Sequence, residues 1–69
     1  MTIATENAAM LNAIDAAGNR YKVRKYAGNW VPVIVVDGIR KSLMHCATSG
    51  GAMEVAIREC AKASGYISK

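Results

Sequence analysis

Two hydrophobic periods divide the chain. Between Thr5 and Ala17 the apolar positions Met10, Leu11, Ile14 and Ala17 recur three and four residues apart, the spacing of a helix with one buried face. Thr5 suits the N-cap and Glu6 the first turn, where the helix dipole favours negative charge. Gly18 and Asn19 end the helix, because glycine accepts the left-handed conformation that closes many helix ends.

From Asn19 the period falls to two. In "NRYKVRKY" Tyr21 and Val23 alternate with Arg20, Lys22 and Arg24, as on a strand. Gly28-Asn29 predicts a tight turn, and "WVPVIVV", Trp30 to Val36, is apolar on both faces like a central strand. Pro32 sits awkwardly there, since proline brings no ladder donor. Asp37-Gly38 is a strong hairpin signal, and it predicts a third strand from Ile39 to about Cys46. The register that follows sets Val36 across Ile39, Ile34 across Lys41, Pro32 across Leu43 and Trp30 across His45. Tyr21, Val23, Trp30, Ile34, Val36, Ile39 and Leu43 then share one face, the expected core.

After Thr48 the helical period returns. Met53, Ala56, Ile57, Cys60, Ala61 and Ser64 form one stripe, Thr48 or Ser49 caps the start, and Gly65 closes the end. The expectation is a single α+β domain spanning residues 1–69, ordered α-β-β-β-α, with a three-stranded antiparallel sheet packed on the helices. Its 69 residues leave no room for a second core, and monomer or weak dimer is the expected state.

Charge and candidate chemistry narrow the function. The formal charge of +4 suits an acidic partner, whether nucleic acid or protein surface. No segment reaches the roughly 18 apolar residues of a membrane span, and "MTIATENAAM" reads as no targeting leader. The expectation is a cytoplasmic protein without a membrane partner, its two cysteines reduced.

The stretch "MHCATSGGAMEVAIREC" invites a catalytic reading. On a strand, however, His45 and Cys46 point to opposite faces, so neither activates the other. Cys46, Cys60 and His45 lack zinc-ligand spacing, and "TSGG" lacks the lysine and hydroxyl of a phosphate-binding loop. The acids Glu6, Asp15, Asp37, Glu54 and Glu59 each suit a helix start, a turn or a salt bridge. No enzyme, catalytic residue, metal site or cofactor is expected.

The opposite sheet face carries Arg20, Lys22, Arg24 and Tyr26 on the first strand, Val31, Val33 and Val35 on the second, and Arg40, Ser42 and Met44 on the third. Either the long cationic stems cover the valines, or an apolar patch rimmed by positive charge docks an acidic partner; the alternative is that the second helix covers this face instead of the other. The candidate partner-binding residues are Arg20, Lys22, Arg24, Tyr26 and Arg40, and reversing the cations among them should cost little stability if they are merely exposed.

Two resemblances bear on the partner. Element order and length are similar to a double-stranded RNA-binding domain, a family that sets lysines at the start of its second helix to meet phosphates. Here the matching stretch is "SGGAMEVA", with Glu54 where that family has positive charge. That resemblance implies a small basic nucleic-acid-binding module, the alternative function. In overall character, a very small αβ domain with a charged surface, the chain resembles phage-encoded anti-CRISPR proteins. This second resemblance implies a protein-binding inhibitor that blocks target DNA recognition by a type I CRISPR-Cas effector complex through stoichiometric binding, in the cytoplasm of the bacterial host. No site residues carry over from it.

Overall fold

The computed structural model describes residues 2–67, with side chains from residue 7 onward. Helix α1 (Thr2–Ala17) leads into β1 (Arg20–Tyr26), β2 (Asn29–Val36) and β3 (Ile39–Ser42), and α2 (Ser49–Ala63) follows. The α-β-β-β-α order is the expected one. The strands form an antiparallel sheet ordered β1-β2-β3, with helices on one side, in a slab 33 × 31 × 15 Å across. Helix α1 begins a turn earlier than its hydrophobic spacing indicates, so Thr5 lies inside it; the side chains of Thr5 and Glu6, like Lys69, lie outside the described residues.

Both helices close in the same way. Gly18, at φ +72°, is followed by an Asn19 N–H donating to the Ile14 carbonyl, while Gly18 N–H reaches Asp15. At the end of α2, Gly65, Tyr66, Ala61 and Lys62 repeat the arrangement. These paired bonds satisfy carbonyls that a helix end otherwise leaves open. Thr48 caps α2, its hydroxyl accepting from Gly51 N–H at 3.0 Å. Gly50 and Gly51 belong to the first turn of α2. Gly51 leaves room for the cap, since a Cβ there would stand 3.0 Å from the Thr48 hydroxyl oxygen.

The core lies between α1, α2 and the facing side of β2. Met10 and Ile14 meet Ile34, Ala56, Cys60 and Ala61, with Tyr21, Val36, Leu43, Ile57 and Tyr66 packed around them. Ala52, Ala56 and Cys60, four residues apart and fully buried, form a ridge of small side chains that lets α2 approach the sheet closely. Ala52 therefore occupies the inward position expected of Met53, which is 39% exposed. Helix α2 runs over β2 and β1. Ile39, expected in the core, lies beyond this cover on β3 and is 71% exposed.

The turns and registers differ from expectation at two places. The first hairpin turns at Ala27-Gly28, both at positive φ (52° and 82°), and pairs Tyr26 with Asn29. The expected Gly28-Asn29 turn would shift every pair by two residues without changing faces. Strand pairing outweighs the local turn preference, since the observed register sets Tyr21 across Ile34 in the core and Lys25 across Trp30. Lys25 Nζ stands 5.4 Å from the centre of the Trp30 ring, within cation–π range.

The second hairpin has the expected Asp37-Gly38 turn, with Val36 across Ile39 and Ile34 across Lys41. It stops short because Leu43 N–H donates to Pro32 O at 2.8 Å and Pro32 has no N–H to return. Strand β3 therefore ends at Ser42 instead of running to Cys46. The chain rejoins β2 only where Trp30 and Cys46 exchange backbone bonds of 3.0 and 2.7 Å. One extra residue has entered on the β3 side, so Cys46 and not His45 stands across Trp30.

Candidate docking surface on the open sheet face

The register builds the open face in rows. Arg20, Val35 and Arg40 form one, Lys22, Val33 and Ser42 the next, Arg24 stands beside Val31, and Tyr26 beside Asn29. Arg20, Lys22, Arg24, Tyr26 and Arg40 are all exposed and all lie on this face, so the five sequence-derived candidates are brought together. Neighbouring strands lie about 4.8 Å apart, which sets the Arg20 and Arg40 backbones about 10 Å apart across Val35.

No helix covers this side, yet Val33 is 1% exposed and Val31 is 7% exposed. The register sets Lys22 and Ser42 beside Val33 and Arg24 beside Val31. Long cationic side chains so placed can cover apolar neighbours with their stems while their charged heads stay in water. Of the two readings of this face, the covered one describes its middle, and the surface offered to a partner is cationic. Apolar groups emerge at the rim, where Tyr26 is 68% and Met44 84% exposed.

His45, set across Trp30 in the expected register, is instead exposed and lines a shallow depression of about 290 Å³ with Arg24, Lys25, Tyr26, Val31, Val33 and Ser42. The extra residue before Cys46 turns it outward, and Pro32 was the sequence signal for that slip.

The sheet concentrates positive charge, four of its six cations on the open face and Lys25 and Lys41 on the helix side. Strand β1 carries Arg20, Lys22, Arg24 and Lys25, and β3 carries Arg40 and Lys41, together six of the nine cations of the chain. No acid lies within any of the three strands. On α2, Glu54 pairs with Arg58 at 2.8 Å and Glu59 with Lys62 at 3.5 Å, so its charges balance locally.

Cys46 and Cys60 are free thiols. Cys60 is buried, with its Sγ 3.4 Å from the Arg20 carbonyl oxygen, and burial pushes the thiol above its ordinary value despite the hydrogen bond with Ser64. That is the opposite of an activated nucleophile. Cys46 Sγ lies 3.6 Å from the Met44 carbonyl oxygen. Among the described residues, no three His, Cys, Asp or Glu side chains gather into a set able to hold a metal ion, and no helix is long and apolar enough to cross a membrane.

The surface so defined is the cationic open face of a two-layer α+β domain. The chain matches no protein-family model, no curated protein and no solved structure.

Proposed function

We propose that the protein is a non-enzymatic inhibitor that binds an acidic protein surface through its open sheet face, and that it acts as a phage anti-CRISPR protein on a type I effector complex. The observation that carries the reading is the segregation of charge: Arg20, Lys22, Arg24 and Arg40 share one exposed face with no acid among them. Such a surface steers and orients an acidic partner. Blocking target DNA recognition requires only that the partner's surface be occupied, so a stoichiometric binder of this size suffices.

The test is a plaque assay on bacteria with an active type I system expressing the chain, joined to target-DNA binding by the purified effector complex. The wild-type chain should restore plaques and reduce DNA binding at equimolar ratio. Changing Arg20, Lys22, Arg24 and Arg40 together to Met, which discards the charge and keeps an apolar stem, should abolish both effects, whereas Arg58→Met with Lys62→Met should not. Failure to inhibit, with binding of bare duplexes of unrelated sequence that weakens steeply with salt, would favour the nucleic-acid-binding alternative.

A further inference from the structure

We propose that the free edge of β1 takes up an acidic, extended segment of the protein partner as a fourth strand; this rests on the docking reading above and gives it a backbone geometry. Strand β1 is terminal in the sheet and seven residues long. Tyr26 and Asn29 flank a two-residue turn, so residues 20, 22, 24 and 26 direct their backbone bonds toward β2. The N–H and C=O groups of Tyr21, Val23 and Lys25 therefore face outward. Among the described residues no hydrogen bond from another segment reaches them.

An edge with unpaired backbone groups is a template for another strand, and charge selects which one. Four of the seven β1 residues are cations and none is an acid. A second copy pairing here would bring cations against cations, which destabilises a strand pair. An acidic strand gains from the same charges. Arg20, Lys22 and Arg24 lie on the open face, whereas Tyr21 and Val23 lie on the helix side and are half-buried. The fitting segment therefore alternates acidic and apolar residues. The β3 edge is a poorer template, because it has only four residues and ends at Ser42.

The probe is the capped heptapeptide Glu-Val-Glu-Val-Glu-Val-Glu, titrated into the full chain by calorimetry. It should bind at least tenfold more tightly than its Lys-Val counterpart. Methylating one alternate set of its backbone amides should abolish binding and methylating the other should leave it intact, since only one set faces β1. Amide hydrogen exchange should slow at Tyr21, Val23 and Lys25 but not at Lys22 and Arg24. Absence of binding, equal binding of the two peptides, or the same response to both methylation patterns would overturn the proposal. If charge matters but methylation pattern does not, docking on the face stands and edge pairing fails. Pattern-dependent binding without phage protection leaves the edge standing and removes the inhibitor reading.

Discussion

Asn19 joins three parts of the chain through its side-chain amide. Its Oδ1 accepts from Asp37 N–H in the β2–β3 turn at 3.2 Å, and its Nδ2 donates to Ser64 Oγ at the end of α2 at 2.8 Å. The Ser64 hydroxyl donates in turn to Cys60 O at 2.7 Å, which fixes the orientation of the amide. The side chain belongs to a residue only 9% exposed, so water replaces its bonds poorly. Asn19→Ala removes two neutral hydrogen bonds, each worth about 1 kcal/mol net, for an expected loss of about 2 kcal/mol. A chain of this length has a total stability of roughly 3 to 10 kcal/mol, and the loss corresponds to a fall of roughly 8–16 °C in Tm. Urea unfolding followed by Trp30 fluorescence measures it, with an unchanged slope showing that the unfolding transition is the same. Asn19→Asp should not rescue, because it retains the acceptor but sets an oxygen against Ser64 Oγ. In a double-mutant cycle with Ser64→Ala, the coupling should be about 1 kcal/mol. A loss under about 0.5 kcal/mol for Asn19→Ala, the range of an ordinary surface change, would refute the pin.

Three smaller predictions follow from the turns, cap and thiols. Ala27 holds a left-handed conformation that Asn adopts more easily, so Ala27→Asn should raise stability by about 0.5–1 kcal/mol in the same urea titration. Thr48→Ala should cost about 1 kcal/mol by losing the α2 cap, and Thr48→Ser should recover most of it. With a thiol reagent the folded protein should label at Cys46, while Cys60 should label only at the rate of unfolding; Cys60 favours the neutral thiol when folded, so its contribution is full below its ordinary value of 9.0 and declines as pH rises beyond it, a component that Cys60→Ala should remove from the stability–pH curve.

Local signals made the architecture legible and left the joints obscure. Asp37-Gly38 fixed one hairpin because both of its residues tolerate positive φ, and period alone separated helices from strands. The Ala27-Gly28 turn was hidden because local turn preference favoured Gly28-Asn29, while the deciding contacts, Tyr21 with Ile34 and Lys25 with Trp30, are between strands. Pro32 was visible as an anomaly in a central strand, but its effect, ending β3 and turning His45 outward, depended on which neighbour needed its missing donor. Exposure of Ile39 depended on how far α2 reaches across the sheet, which no period along β3 encodes. The five face residues were legible because alternation survives a two-residue register shift.

The burial of Val33 changes what the cations of this face do, and with it how they must be tested. An exposed charge can be reversed at little cost to folding, and that holds for Arg20, Lys22, Arg24 and Arg40 only if their stems cover nothing. Val33 is 1% exposed with no layer above it, and Lys22, its partner across β1, is placed for its stem to act as core on one side and surface on the other. A glutamate is two methylenes shorter than a lysine, and uncovering roughly 40 Å² of valine costs about 1 kcal/mol at 25 cal/mol per Å². Lys22→Glu should therefore destabilise the domain by about that amount, whereas Lys22→Met, which keeps the apolar stem and discards the charge, should be neutral within about 0.5 kcal/mol. Urea midpoints of the two variants decide it. Equal stability would mean that the stem does not shield Val33 and that the face is purely a charged surface. The expected difference means that charge reversal would confuse docking with folding, so docking is measured with substitutions that neutralise the head and retain the stem.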